Sequence, residues 1–384
     1  MFKVLHTADL HLDSSFADFS LAESERARQS QLRSFFRMIE IAKEEEVALF
    51  CIAGDLFDRE RVRPAVADAV FDALSSLECP VVLSPGNHDP YRSGSVYLER
   101  ELPDNLFVFR EETLSHFDFP SIGRGVTVYG YAFSSPSLYA SPLMDCDRVC
   151  APKDGGVSIL LCHADLDHPL SSYAPLPGRD LERCGADYVA LGHTHNVSDE
   201  LLVFGDTLAA YAGFPEGRSF DECGFGSLRL LTFDADAVRG ERIISSSRVS
   251  AAAHRYLVET LDVTGAVSDE DVIQRLGTLL SEKEYGEETT LRIFLSGEVA
   301  VSYTPDLRFI AANFSGDGMP SIPDLFDQTL PILNSGYLEQ DISIRGELYR
   351  MLKRQMQEGT GEDRADAAMA LRLALAALDG RPIV

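Results

Sequence analysis

The sequence predicts an α/β (α+β) fold built in layers, and three observations carry that prediction. Short runs rich in Val, Ile and Leu recur through the first half of the chain and stop at Gly- or Pro-bounded polar blocks, the pattern of buried strands. Apolar residues at helical spacing fill the intervals, so strand and helix alternate. With 384 residues the chain also exceeds the roughly 250 to 300 that one core can fill, so more than one domain is expected.

Taken in order, Val4-Leu5 leads into Asp9-Leu10-His11. Leu32, Phe35, Phe36 and Ile39 then repeat with helical period, and Val47 to Ile52 leads into Gly54-Asp55-Leu56-Phe57-Asp58. Pro64 suits the first turn of a second helix carrying Val66, Ala69, Val70, Ala73, Leu74 and Leu77, after which Val81-Val82-Leu83 leads into Gly86-Asn87-His88-Asp89. From Gly123 onward the strands come closer together, at Val126 to Tyr131, Val157 to Leu161, Leu201 to Phe204 and Leu228 to Phe233, which predicts an antiparallel or mixed second sheet. Within it, Val157 to Leu161 ends at His163, and Tyr188 to Leu191 ends at Gly192-His193-Thr194-His195.

The strand pattern runs to about Val249, which places the end of the first domain at residue 253. Residues 254–345 read as a small strand-helix-strand domain, with strands at Tyr256 to Leu261 and Thr290 to Leu295, a helix from Asp269 to Glu284, and the weakest pattern at Leu307 to Phe314. In the tail, 346–384, Glu347 to Gln357 and Asp363 to Leu378 read as helices, with Thr360 and Asp363 as a capping pair. Leu348, Met351, Leu352 and Met356 form one apolar stripe, and Leu371, Leu373, Leu375 and Leu378 another; both are expected to pack on a larger surface, of a partner or of this chain.

Hydrophobic content of 45% without a low-complexity tract belongs to a soluble globular protein. No apolar stretch approaches the ~20 residues of a membrane span, and Met1-Phe2-Lys3-Val4 runs straight into the first block, so no membrane role and a cytoplasmic location are expected. The seven scattered cysteines read as structural thiols. Cys146 and Cys150 have a spacing that could serve zinc, but no second Cys or His pair follows them closely. Lys and Arg number 34 against 61 Asp and Glu, a net charge of −27. Affinity for DNA comes from Lys and Arg neutralising phosphates, so either the substrate is small or bound metals and a partner supply positive charge; solubility alone is the plain reading of the acidity.

Each polar block is weak by itself. Several in order, each at a strand end, point to one cluster, because strands that end on one edge of a sheet bring distant loops together. Their carboxylate, imidazole and amide donors, without thiolate, suit Mn²⁺, Fe or Zn²⁺ better than Ca²⁺ or Mg²⁺. The ligand-type residues are too many for one ion, and two ions sharing a carboxylate resolve the surplus. Asp55 is the bridging candidate, since a carboxylate has two oxygens and Gly54 permits close backbone packing. Two such ions can hold a hydroxide nucleophile and the oxygens of an in-line phosphoryl displacement. His88 follows Asn87 directly, and neighbours rarely aim at the same ion, which leaves His88 for proton transfer or for stabilising the phosphorane of that displacement.

At these residues the chain resembles the calcineurin-type metallophosphoesterases. Its opening, His6-Thr7-Ala8-Asp9-Leu10-His11-Leu12-Asp13-Ser14, with Gly54 to Asp58 and Gly213-Phe214-Pro215-Glu216-Gly217-Arg218-Ser219-Phe220, resembles the SbcD nuclease family and its YhaO-like bacterial DNA repair exonucleases. The resemblance implies a two-sheet sandwich flanked by helices, a small capping domain, and a helical tail that docks on an SMC-like ATPase. It implies two divalent ions, Mn²⁺ first, with Asp9, His11, Asp55 and His195 around one and Asp55, Asn87, His163 and His193 around the other. It further implies that His88, paired with Asp89, is the catalytic histidine.

Asp58 stands where some relatives carry a histidine, and reads as a turn or supporting residue. Arg59, Arg61, Arg63, Tyr91, Arg92 and Arg218 are candidates for contacts to a phosphate backbone, with solvated loop residues as the alternative. The reading is therefore a metal-dependent DNA exonuclease or endonuclease of DNA repair, with DNA, an SMC-like ATPase and a second copy of the chain as candidate partners. A small-molecule metallophosphatase or phosphodiesterase is the alternative, favoured by the acidity.

Overall fold

The computed structural model describes residues 1–17, 19–144, 150, 155–300, 303–332 and 335–378. They fall into two compact units, Met1–Arg255 and Tyr256–Val384.

The first unit opens with a β-α-β-α-β run: β1 (Phe2–Thr7), α1 (Leu21–Glu44), β2 (Leu49–Ile52), α2 (Pro64–Ser75) and β3 (Val81–Leu83), followed by the short α3 (Val96–Glu99) and β4 (Leu106–Val108). It continues through β5 (Ser115–Phe119), β6 (Val126–Gly130), β7 (Val157–His163), α4 (Gly178–Cys184), β8 (Tyr188–Gly192), β9 (Leu202–Phe204), β10 (Thr207–Tyr211), β11 (Leu228–Phe233) and β12 (Ile243–Val249). Two six-stranded sheets result, ordered β12-β11-β1-β2-β3-β4 and β5-β6-β7-β8-β10-β9. In the first, β1 to β4 are parallel, as helical crossovers require, and β11 and β12 extend it antiparallel. The second is mixed, with β6, β7, β8 and β10 parallel and antiparallel strands at both edges.

One expected placement is corrected: Leu228 to Phe233 belongs to the first sheet, paired with β1 from Phe2↔Phe233 to His6↔Arg229. Proximity in sequence does not choose the sheet; side-chain fit does. Phe233 stacks on Phe2 with ring centroids 5.3 Å apart, and Leu231 and Phe233 fill the space between the sheets.

Alternation along each strand builds the layers. Val4, Leu49, Cys51 and Val82 face Ile159, Leu161, Tyr188 and Ala190 across the sandwich. Leu5, Phe50, Ile52 and Leu83 face outward to Phe35, Met38 and Ile39 of α1 and to Val70, Phe71 and Leu74 of α2. Burial on both faces is why these strands read as unbroken apolar runs. Within α1 the sequence stripe is corrected by one position: Met38 is buried where Phe36, turned 100° from Phe35 toward solvent, is 39% exposed.

The second unit holds β13 (Arg255–Asp262), α5 (Asp269–Glu282), β14 (Thr289–Ser296), β15 (Glu298–Ala300), α6 (Leu307–Ala312), β16 (Ser321–Asp327), β17 (Leu330–Ile332), α7 (Ser335–Gln340), α8 (Ile344–Glu358) and α9 (Gly361–Leu378). The sheet β13-β14-β16 packs Leu291, Ile293 and Leu295 against Val272, Leu276 and Leu280 of α5. Leu307 to Phe314, the weakest stretch in the sequence, opens as α6, whose N-cap Asp306 accepts from the N–H groups of Arg308 and Phe309.

The two tail helices pack on each other, with Tyr349 and Leu352 meeting Leu371 and Leu375 beside Leu338. Asp363 accepts from the Thr360 N–H at 3.4 Å, one half of the expected capping pair, and the Thr360 hydroxyl donates to the same carboxylate at 2.8 Å. Met351, expected in the packed stripe, is exposed, and Tyr349 takes its place. Of the two thiols with zinc-like spacing, Cys146 lies outside the described residues and Cys150 is buried. Among the described residues no helix is long and apolar enough to cross a membrane.

Candidate metal centre

The site sits where β1, β2, β3, β7 and β8 end. The loops after β1 and β2 run side by side there, with Asp9 N–H donating to the Gly54 carbonyl (3.1 Å), His11 N–H to that of Asp55 (2.9 Å) and Leu12 N–H to that of Leu56 (3.0 Å). The chain twists sharply at its donors: Asp9, His11 and Asp55 have φ of 52°, 45° and 50°, and His193 has φ of 91°. Each left-handed residue of this kind costs on the order of 1–3 kcal/mol and persists only where its surroundings enforce it. Two glycines make room. A Cβ on Gly54 would lie 2.2 Å from His163 Nδ1, and one on Gly86 2.1 Å from Asp55 Oδ1.

The sequence-predicted donors converge. One atom each of Asp9, His11 and His195 lie within 4.8 Å of one another, as do atoms of Asp9, Asp55 and His163, both groups fit to hold a metal ion. Asp9 belongs to both groups, and Asp55 Oδ2 of the second also reaches the first, 3.6 Å from His11 Nε2 as against 3.4 Å from His163 Nε2. Hydrogen bonds fix which ring nitrogens face inward. His163 Nδ1 lies 2.9 Å from the Ala53 carbonyl, which can only accept, so Nδ1 carries a proton. His163 Nε2 then faces Asn87 Oδ1 at 2.9 Å, and a lone pair aimed at an amide oxygen needs a cation or a proton between them. His11 and His195 bring their Nε2 atoms to 3.3 Å, with a carboxylate beside each opposite nitrogen: Glu222 Oε1 hydrogen-bonded to His195 Nδ1 at 2.6 Å, and Asp58 Oδ1 at ion-pair distance, 3.4 Å, from His11 Nδ1. Carboxylate, imidazole and amide donors oriented this way fit divalent ions.

Electrostatics agree. Burial opposes charge on His163, yet the Asp55 and Asp9 carboxylates outweigh it and raise its pKa to about 9. Burial likewise opposes ionisation of Asp55, and the histidines around it prevail, holding its carboxyl well below the usual range. Asp9 goes the other way, raised to about 6 chiefly by burial, with the Asp55 charge adding to it. The protein thus concentrates negative charge on Asp55, within reach of donors from both clusters.

Residues 2–197, more than half of the chain, match the family described as calcineurin-like phosphoesterase. The chain belongs to that family. This phosphoesterase is 28% identical over 305 residues to the metallophosphoesterase YhaO of Bacillus subtilis (76% of this chain, 71% of the relative). It is 27% identical over 274 residues to SbcD, a component of the SbcCD nuclease of the same organism (62% and 67%). It is 30% identical over 264 residues to the DNA double-strand break repair protein Mre11 of Aeropyrum pernix, covering 63% of this chain and 60% of the relative.

Other expected residues of the phosphoesterase are placed differently. Asp89 does not pair with His88: it accepts from the Gly86 N–H (2.9 Å), the Phe57 N–H (3.1 Å) and the Tyr97 hydroxyl (2.5 Å), so it ties two site loops together from inside. Burial, then the Asp55 charge, raises its pKa to about 7. Asp58 is the carboxylate beside His88, whose Nδ1 lies 3.1 Å from the Asp58 carbonyl and 3.8 Å from Oδ1. His88 stands at the mouth, 43% exposed, its ring 4.6 Å from that of His11. His193 lies beside His163, ring centroids 5.0 Å apart, but its Nε2 is 3.5 Å from Asp165, which leaves Nδ1 for any ligation.

Several candidate phosphate contacts are engaged elsewhere. Arg63 is held by Asp13, Arg92 by Glu60, and Arg218 by Glu222 and Asp58. Tyr91 is half-buried, packed against both cores of the sandwich. Arg59 donates to the Asp13 carbonyl at 2.9 Å, and Arg61 is exposed. Glu222 and Asp165 are the functional neighbours that sequence reading missed. The only signal for Glu222 was its place two residues past Gly213 to Phe220, and Asp165 had only its nearness to His163.

Proposed function

We propose that this chain is a two-metal phosphodiesterase that cuts DNA, Mn²⁺-dependent, working in the cytoplasm in DNA repair with an SMC-like ATPase. The observation that carries the chemistry is Asp55 Oδ2 set between His11 Nε2 at 3.6 Å and His163 Nε2 at 3.4 Å, one carboxylate serving two clusters. Asp9, His11, Asp55 and His195 would hold one ion, and Asp55, Asn87 and His163 with His193 the other. Bound ions of this kind supply a hydroxide nucleophile near neutral pH and neutralise charge on the phosphoryl oxygens.

The chain's own residues do the rest. The Asp58 carbonyl keeps a proton on His88 Nδ1 and so turns Nε2 to the site; with a second proton taken up at Nε2 from solvent, the imidazolium gives that proton to the departing oxygen and returns to its neutral Nδ1–H form. The His88 N–H donates to Asp55 Oδ1 at 3.0 Å and so fixes the carboxylate whose other oxygen faces the two imidazoles. DNA as substrate is supported by the relatives' names, one a nuclease subunit and the other a DNA break-repair protein, and a protein partner by the first being one subunit of a larger nuclease. Exposed Ile342, Ile344, Met351 and Met369 on and beside the tail helices suit a protein partner.

The test is Mn²⁺-dependent digestion of single-stranded, duplex and hairpin DNA beside bis(4-nitrophenyl) phosphate, with Asp55→Ala as control. Cleavage of DNA that the control lacks is expected. Turnover of the chromogenic diester with every DNA left intact, partner present or absent, would instead establish the small-molecule reading that the net charge of −27 favours.

A further inference from the structure

Arg28 of α1 and Arg59, Arg61 and Arg63 from the segment before α2 line, with Asp13, a cavity of about 240 Å³. In a chain of net charge −27, four guanidinium groups against one carboxylate in the lining of a single cavity invert the local charge. Two carboxylates are already committed there. Asp13 accepts from Arg63 Nε at 2.5 Å, and Glu25 accepts from Arg28 at 3.0 Å and from Arg63 at 3.4 Å. Arg59 donates to a neutral partner, the Asp13 carbonyl, and Arg61 makes no ion pair among the described residues. Arg59 and Arg61 are thus exposed cations that form no ion pair among the described residues, presented by a segment that Asp13 pins through the Arg63 N–H at 2.9 Å.

The cavity adjoins the metal centre. Asp13 stands two residues past His11, so at most about 7 Å of backbone separates them. We propose that this cavity is a second phosphate subsite, which takes the phosphodiester next to the one held at the metal centre, so that the preferred ligand is a nucleic-acid strand with consecutive phosphates. The inference rests on the phosphodiesterase reading and adds to it where the strand is gripped. Guanidinium forks match phosphate oxygens in pairs, and two uncompensated ones suit an anion that brings its own charge. An acidic chain can then hold DNA locally, at one point beside the reacting bond.

The test is the full chain with Mn²⁺ and an Arg59→Ala/Arg61→Ala variant, both replaced side chains being exposed, with thermal melting as the check on folding. The variant should lose at least tenfold in kcat/KM for an oligonucleotide relative to bis(4-nitrophenyl) phosphate, which carries one phosphate. The slope of log affinity for the oligonucleotide against log salt should flatten by about one to two. Equal losses on both substrates, or an unchanged slope, would overturn the subsite. If the parent protein binds no DNA at all, the nucleic-acid reading fails by itself. The anion site is then decided by inorganic phosphate at constant ionic strength: a thermal shift of the parent that the variant lacks upholds it, and equal shifts, or none, sink it.

Discussion

His195 Nδ1 and Glu222 Oε1 lie 2.6 Å apart, and Arg218 donates to the same carboxylate oxygen at 2.8 Å. Burial disfavours the Glu222 charge, but His195 and Arg218 prevail and hold its pKa down to about 2, so the carboxylate is ionised throughout the neutral range. It keeps the proton on Nδ1 and turns the Nε2 lone pair toward Asp9 and His11. Removing such a carboxylate costs about 10–100-fold in metal affinity in comparable sites. Glu222→Ala should lose that much Mn²⁺ affinity by calorimetry, and Glu222→Gln, which keeps an acceptor, less. Parent-like affinity in the alanine variant would show that His195 is oriented by other means.

Metal binding should be strongly pH-dependent through His163. Its folded pKa of about 9 lies above the ordinary 6.5, so in the metal-free protein its stabilising contribution is full below about 6.5 and fades as pH rises through 9. A metal ion must displace that proton. Mn²⁺ affinity should therefore rise with pH up to about 9, with close to one proton released at pH 7 from this site, measured by calorimetry in buffers of differing ionisation heat. His163→Asn should abolish that release, and a pH-flat affinity between 7 and 9 in the parent would refute the assignment.

His88 and Asp89 are neighbours with opposite roles. His88 is partly exposed at the mouth, whereas Asp89 is fully buried and satisfies two backbone N–H groups and the Tyr97 hydroxyl. His88→Ala should lower kcat by 10²-fold or more with metal content and melting temperature retained. Asp89→Ala should instead destabilise the fold, by about 1–3 kcal/mol for each buried partner left unpaired. Denaturant melts of the two variants separate the roles, and a stable Asp89→Ala protein would contradict the structural one.

Much of this is legible in the sequence alone. The donors Asp9, Asp55, Asn87 and His163 lie at the ends of strands whose apolar runs are buried on both faces, and such runs announce themselves. What stayed hidden depends on distances across the fold. Leu228 to Phe233 pairs with β1 because Phe233 stacks on Phe2, a fit between residues 231 positions apart that no local pattern encodes. Glu222 is one acid among many in an acidic chain, and only its 2.6 Å approach to His195 distinguishes it. Asp89 differs for a related reason: the resemblance implies a pair with His88, but consecutive side chains point apart, and Asp89 turns inward to Tyr97 while His88 turns outward to Asp58.

Gly54 is where fold and site constrain each other most directly. Its φ of 92° belongs to a region that side chains rarely adopt, and its carbonyl accepts from the Asp9 N–H at 3.1 Å, so the peptide cannot rotate away without releasing the first loop. A methyl there would also lie 2.2 Å from His163 Nδ1 and displace the ring that faces Asn87 and Asp55. Gly54→Ala should therefore do two things at once: destabilise the protein by about 1–3 kcal/mol from backbone strain, and weaken metal binding beyond what that loss explains. Gly94→Ala is the comparison. Gly94 has the same φ of 92° but nothing within 4 Å of an added Cβ, so it should show the strain without the metal defect. Urea melts and Mn²⁺ titrations of both variants provide the measurement, and equal metal affinity in the two would mean that the ring of His163 has room to move.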